Sequence, residues 1–331
     1  MHDCIVPDNL EPQFLQPEGW RWHSFERDGR TIRFGCVTPK DKIPDAVVVC
    51  LQGVREFGEK YFEIARWCNE QNLTFWMMDW VGQGQSTRLI EGSDKRHSHG
   101  FDSDIDDLHY LIMEYIKHSS VHPDKGRIPL AMLAHSMGAH IGLRYMSKYP
   151  DTFECAALSA PMIDFKVFKN IPAPLAIAAT WLCSTMLGTS YIPNGNDWDK
   201  RTESARLSSD SVRDTVDDRW CKDNAGLRCG DITYRWLHEA YKSCRTLQKA
   251  DVIAKITTKC LFGISGKEDL VDNAKAHTIA SKISDHDIIE YPDAFHEILM
   301  ERDEIRDDFL NNFYAIIKET IIDQPQTLKP F

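Results

Sequence analysis

Ala131-Met132-Leu133-Ala134-His135-Ser136-Met137-Gly138-Ala139-His140 reads as an apolar strand, a tight turn with a serine at its tip, and then a helix. The turn needs small residues on both sides of the serine, because strand and helix pass close together and the backbone between them is crowded and strained. Gly138 fills the second small position and Ala134 the first, where glycine is the more usual residue. A serine held this way has an exposed hydroxyl, and the pattern is that of a nucleophile elbow. The rival reading of Ser136 is a helix-capping serine that follows a buried strand.

The segments on either side extend the pattern. Residues 20–39 alternate around Arg27-Asp28-Gly29-Arg30, where Asp-Gly between two β-rich runs predicts a hairpin. Ala46-Val47-Val48-Val49-Cys50-Leu51 and Leu73-Thr74-Phe75-Trp76-Met77-Met78 are continuous apolar runs, as expected of strands buried on both faces. Residues 61–72 between them read as a helix, and residues 102–117 as another. Strands are expected over 129–134, 155–159, 258–265 and 287–291, with helices over 273–283 and 303–322. This alternation implies an α/β chain with a mostly parallel sheet covered on both sides. It breaks over residues 162–250, which hold helical stretches and no convincing strand. A helical insertion between two sheet strands, where ligands gather at the strand carboxyl ends, predicts a lid. The expected organisation is an arm over 1–18, a core over 19–161, the lid over 162–250, and the rest of the core over 251–331.

The 331 residues carry 39 basic and 50 acidic side chains, for a net charge of −11. Nucleic acid is an unpromising partner for such a surface, because phosphate binding needs a basic one. The ten cysteines include no Cys-x-x-Cys pair, and several lie inside apolar runs. The start of the chain shows neither a basic stretch nor an apolar leader. Free thiols and a cytoplasmic location are expected, and no ligand spacing predicts a metal site. The most apolar run, residues 171–187, is interrupted by Pro172 and Pro174 and falls short of the ~20 residues that cross a bilayer.

Acyl transfer at a serine needs a nucleophile, a base, an acid to orient the base, and donors for the oxyanion. Ser136 is the expected nucleophile. Among 13 histidines, His296 follows the last expected strand by a short loop, and it is the expected base. His135 is expected to pack, and His97 and His99 to lie in a solvated charged loop. Residues 259–265 form a strand that is followed by Glu268 and Asp269, either of which could orient the histidine. Asp272 is a third option; the unused acids would complement the dipole of the helix that begins at Asn273. Backbone amides of Met137 and Val54 are the expected oxyanion donors, with Gly53 allowing close approach. A second glycine cluster, Gly82-Gln83-Gly84, lacks phosphate-loop spacing and reads as a turn.

Four stretches together resemble the monoacylglycerol lipase and lysophospholipase L2-like (serine aminopeptidase-like) branch of the α/β-hydrolases. Gln52-Gly53-Val54-Arg55-Glu56-Phe57-Gly58-Glu59-Lys60-Tyr61 is similar to the family's His-Gly-x-x-Glu…Tyr oxyanion segment. Asp79-x-x-Gly82-x-Gly84-x-Ser86 matches its Asp-x-x-Gly-x-Gly-x-Ser block, His135-Ser136-Met137-Gly138 its elbow, and Ala294-Phe295-His296-Glu297 its histidine loop. Gln52 stands where the family has histidine, and Ala134 where it has glycine. The family's acid falls on Glu268 by register, and on Asp269 after a one-residue slip.

The resemblance implies an α/β-hydrolase fold, a helical lid and hydrolysis of monoacylglycerols, lysophospholipids or simple esters without a cofactor. The expected activity is a serine hydrolase cleaving lipid-like carboxylic esters. An aminopeptidase or amidase is the alternative, with Asp210, Asp214, Asp217 and Asp218 gripping a substrate amine. A non-catalytic binding protein is a third reading. Residues 171–182 either pack on the domain or form an apolar wall for an acyl chain, with peripheral contact to a membrane.

Overall fold

The computed structural model describes residues 4–123, 126–200 and 206–324. Eight strands form the central sheet: β1 (Arg21–Arg27), β2 (Arg30–Val37), β3 (Ala46–Leu51), β4 (Leu73–Met78), β5 (Leu130–His135), β6 (Cys155–Ser159), β7 (Lys259–Ser265) and β8 (His286–Tyr291). Their order is β1-β2-β4-β3-β5-β6-β7-β8. β2 runs antiparallel to both its neighbours, and every other pairing is parallel. The β1–β2 hairpin turns through Asp28 (φ +50°) and Gly29 (φ +72°), the two left-handed residues that a type I′ hairpin turn requires.

Every residue of β3, β4, β5 and β6 is buried, because helices cover both faces. Alternate residues serve different cores. On β5, Leu130, Met132 and Ala134 pack with Val47, Val49, Leu108 and Leu111 on one side. Ala131 and Leu133 pack with Val48, Ile64, Phe309 and Phe313 on the other. The helices that supply these residues are α1 (Phe62–Glu70), α2 (Phe101–Leu111) and, near the end of the chain, Asp303–Ile317; α3 (Met137–Lys148) adds Ile141 and Leu143 to the first core. The regular helix beginning at Phe101 is shorter than the sequence suggests. It gives way to a π-helical turn over Ile112–Ile116, and Lys318–Ile322 closes the last helix in the same way.

Between β6 and β7 the described residues are largely helical. The main pieces are α4 (Ala173–Leu187), α5 (Val216–Asp223) and α6 (Tyr234–Leu247). Pro172 and Pro174 sit at the start of α4, where a missing N–H costs nothing, so these prolines begin a helix rather than break one. Thr180 on α4 meets His238 on α6 at 3.1 Å. α4 carries no charged residue, and Leu175, Trp181, Leu182 and Met186 are exposed on it. Among the described residues, no helix is long and apolar enough to cross a membrane.

The junction of β5 and α3 leaves no room for side chains. A Cβ on Gly138 would lie 2.1 Å from the Leu51 carbonyl oxygen, and backbone cannot move aside cheaply. A Cβ on Gly142 would meet side chains only, the flexible Met132 Sδ at 2.4 Å and Leu51 Cδ1 at 3.3 Å. Gly138→Ala is therefore expected to cost about 1–3 kcal/mol or more of stability, the range for overpacking, and Gly142→Ala less. Thermal denaturation of the two variants beside wild type measures the difference.

Candidate active site

β5 delivers Ser136 to the carboxyl edge of the sheet. Its backbone has φ +50° and ψ −113°, a strained conformation for a residue with a side chain. Three hydrogen bonds enforce it: the Ser136 amide donates to the Ser159 carbonyl (2.9 Å), and its own carbonyl accepts from the His140 and Met162 amides (both 3.1 Å). The hydroxyl does not cap α3, which overturns the helix-cap reading. It faces His296 instead, with Oγ 2.9 Å from Nε2.

His296 follows β8 on a loop that is stitched to the loop after β7. The Gly266 amide donates to the Tyr291 carbonyl (2.8 Å), and that of Lys267 to the Ala294 carbonyl (2.9 Å). This brings Glu268 Oε2 to 2.6 Å from His296 Nδ1. The same carboxylate accepts from the Ser265 hydroxyl (2.9 Å) and the amides of Leu270 (2.7 Å) and Val271 (3.2 Å). Burial disfavours its charge, but His296 and these donors outweigh that and hold the carboxyl at about 2. Asp269, one residue on, is 89% exposed and pairs with Lys166 at 2.6 Å. Asp272 caps the helix Asn273–Ala280 by accepting from the Ala274 amide (3.0 Å). Of the three candidate acids, only Glu268 reaches the imidazole.

Burial works against a charged His296, yet Glu268 beside it, with Glu297 and Glu56 further off, raises its pKa above the usual value. His135 lies edge-on to His296, ring centres 4.9 Å apart, and its Nδ1 is 3.2 Å from Ser159 Oγ. Burial pushes its pKa down to about 4, so it stays neutral where His296 titrates.

The loop after β3 closes the other side. The Gly53 amide donates to Glu56, and the Arg55 amide donates to Gln83 Oε1 at 2.9 Å. The amides of Val54 and Met137 have no acceptor among the described residues. Glu56 also accepts from the Tyr61 hydroxyl (2.7 Å). Glu56, His135 and Glu297 place three metal-capable atoms within 4.8 Å of one another, but the cation there is the Lys60 ammonium, 2.9 Å from Glu56 and 2.7 Å from Glu297. Gln52, at the family's histidine position, has Nε2 3.4 Å from both the Glu56 carbonyl and Asp79 Oδ1.

The Asp79 block is a scaffold rather than a ligand loop. Arg33 donates to Asp79 (2.6 Å) and to both oxygens of Glu59 (2.7 and 2.8 Å), all of them buried. Asp79 also accepts from the Gly58 amide (3.0 Å), and Ser86 Oγ donates to the Asp79 carbonyl (2.8 Å). A Cβ on Gly84 would fall 2.1 Å from the Asp79 carboxylate. The sequence motifs assign no part to Arg33, Lys60 or Arg96; a charge inside the apolar run Ile32-Arg33-Phe34 is the available signal for the first. The expectation of a solvated loop around His97 is also corrected. Arg96 and His97 are buried, and His97 Nδ1 lies 2.9 Å from Thr233 Oγ1 beneath the helical segment. His99 is exposed.

Ser136 and His296 are 5% and 6% exposed, so the constellation is closed over in this conformation. The segment before α5 is fastened to the histidine loop: the Glu297 amide donates to the Leu207 carbonyl (2.9 Å), and Ser208 Oγ donates to the Met300 carbonyl (2.6 Å). In an NMR pH titration, His296 is expected to protonate above the ordinary histidine value of about 6.5, with His135 still neutral there. Glu268→Gln removes the largest favourable influence on the imidazolium and is expected to move the His296 midpoint down; Asp269→Asn is expected to leave it in place.

A family profile described as serine aminopeptidase, S33, matches residues 42–303. The chain is 26% identical over 276 residues to a lysophospholipase L2 of Escherichia coli strain K12, covering 79% of this chain and 77% of that protein. It is 26% identical to the monoglyceride lipase of Homo sapiens over 123 residues, 36% of each. Among solved structures, a soluble variant of monoglyceride lipase from Saccharomyces cerevisiae superposes with a TM-score of 0.74 at 16% identity, over 96% of this chain and 99% of that one. That likeness shows the fold alone. With the profile covering most of the chain and the sheet in the order described above, the chain belongs to the serine aminopeptidase S33 family of α/β-hydrolases.

Proposed function

We propose that the chain is a serine hydrolase that cleaves carboxylic esters with a lipid-like acyl chain, such as a monoacylglycerol or lysophospholipid. The observation that carries this reading is the continuous line from Glu268 Oε2 through His296 to Ser136 Oγ, at 2.6 and 2.9 Å. Ser136 Oγ attacks the ester carbonyl while His296 Nε2 takes its proton. The Val54 and Met137 amides hold the oxyanion, and Glu268 keeps the imidazole oriented and stabilises its charge. Collapse breaks the bond to the alcohol, which leaves with the proton from His296. Water, deprotonated by His296, then releases the acid and restores the serine.

An activity-based fluorophosphonate is expected to label wild type and not Ser136→Ala. Equal labelling of both ends the assignment of the nucleophile. Turnover of p-nitrophenyl esters is expected to fall at least 1000-fold in Ser136→Ala, in the range seen when a triad member is lost.

The aminopeptidase reading is favoured by the family description alone. Two of the acids it would use are engaged locally: Asp214 accepts from the Leu207 and Ser208 amides, and Asp210 from those of Val212 and Arg213. Faster cleavage of aminoacyl-nitroanilides than of any ester in a chain-length series would reverse the preference.

The segment 162–250, of which 201–205 lie outside the described residues, is proposed to act as a lid over Ser136, between the core portions 19–161 and 251–331, the last of which is described as far as residue 324. The uncharged, exposed side of α4 is proposed to rest on the lipid surface that supplies substrate. Replacing Leu175, Trp181 and Met186 together by serine is expected to reduce co-sedimentation with phosphatidylcholine vesicles while sparing turnover of a short soluble ester. Undiminished vesicle binding removes α4 from that role.

A further inference from the structure

Gln83 lies at the x position between the two glycines of the Asp79 block, and its side chain is fully buried. All of its hydrogen-bonding capacity is engaged. Nε2 donates to the Gly53 carbonyl (3.0 Å) and the Glu56 carbonyl (2.8 Å). Oε1 accepts from the Arg55 amide (2.9 Å) and from Arg96 Nε (2.8 Å). Gln83 therefore holds the β3 loop on both sides of Val54.

The Gly53 contact matters most. A peptide unit is planar and trans, so the carbonyl of one residue and the amide of the next point in opposite directions. Fixing the Gly53 carbonyl against Gln83 points the Val54 N–H from the opposite edge of that plane, away from Gln83. A free loop could turn this peptide over and present the carbonyl where the N–H should be.

Arg96 decides which way the Gln83 amide faces. A flipped amide would set its NH2 against two N–H donors, one of them charged. The guanidinium is itself buried and held by neutral acceptors, the carbonyls of Val81 (3.0 Å) and His97 (2.6 Å). Among the described residues no carboxylate lies within ion-pair distance of it. Burial disfavours its charge, and Asp104 is the acid that acts on it most strongly from further away. Arg96 Nη2 also sits 3.7 Å from Met137 Sδ, on the residue that carries the second expected oxyanion donor.

We infer that Gln83, oriented by Arg96, is a positioning residue that sets the Val54 amide toward the developing oxyanion. The inference rests on the reading of Ser136 as nucleophile. It assigns Gln83 a share of transition-state stabilisation and no part in ground-state binding.

Gln83→Glu tests it, because glutamate keeps the size and the Arg96 contact but has no N–H to give the Gly53 carbonyl. Losing an oxyanion donor outright costs ~100- to 1000-fold in rate, so a misaligned one is expected to cost ~10- to 100-fold in kcat with KM nearly unchanged. The inhibition constant of an alkyl trifluoromethyl ketone, which forms an oxyanion on the serine, should rise by the same factor. Affinity for a non-hydrolysable ether analogue should hold. Should Gln83→Glu fail to fold, Arg96→Met is expected to give the same split and Arg96→Lys to recover most of it. A folded variant with wild-type kcat and ketone inhibition overturns the inference, as does a loss of kcat with ketone inhibition unchanged. Wild type that resists the fluorophosphonate would instead overturn the underlying hydrolase reading.

Discussion

The backbone of Ser136 is held at φ +50°, where an L-residue resists staying, and the surrounding structure keeps it there. The strain, of order 1–3 kcal/mol for such a conformation, persists because three hydrogen bonds and the contact of Gly138 with the Leu51 carbonyl leave the turn no alternative. That contact also fixes the distance between β5 and the start of the β3 loop. The serine and the Val54 amide are thus located by one packing constraint, and the remainder of the site is arranged around it.

Charges buried beside this turn are matched in a particular way. Lys60 lies between Glu56 and Glu297, tying the β3 loop to the residue after His296. Arg33 joins Glu59 to Asp79 beneath the same loop. Removing one partner from a buried set of this kind is far more costly than the set is stabilising, because it leaves a buried charge uncompensated. Burial and the nearby acids Glu56 and Asp217 raise the Glu297 carboxyl above its ordinary range even with Lys60 in contact, whereas Glu268, with His296 and several N–H and O–H donors on it, stays well below that range. Two glutamates on neighbouring loops differ because one collects donors and the other shares an environment with further acids.

Much of the architecture could be read from local pattern. Continuous apolar runs marked β3 and β4, Asp28-Gly29 marked the hairpin, and the loss of alternation after Pro161 marked the helical stretch. Polar placement was harder to read. His97 stands among charged residues and looked solvated, but the helical segment folds back over it and Thr233 meets its ring. The choice between Glu268 and Asp269 was open because adjacent residues differ in direction, not in chemistry. A strand-end turn that aims one carboxylate inward sends the next into solvent, where Lys166 meets it.

The sequence by itself determined the order of strands and helices, the small residues that permit a turn at Ser136, and the set of residues able to do acid–base chemistry. These follow from propensity, periodicity and side-chain volume, which act between near neighbours along the chain. Only the tertiary structure decided that Glu268 is the acid beside His296, that Arg33, Lys60 and Arg96 are internal cations, and that Gln83 grips the Gly53 carbonyl. Each of these depends on groups separated along the chain being brought within hydrogen-bond distance, and that distance is fixed by how the sheet edge, its loops and the helices above them pack.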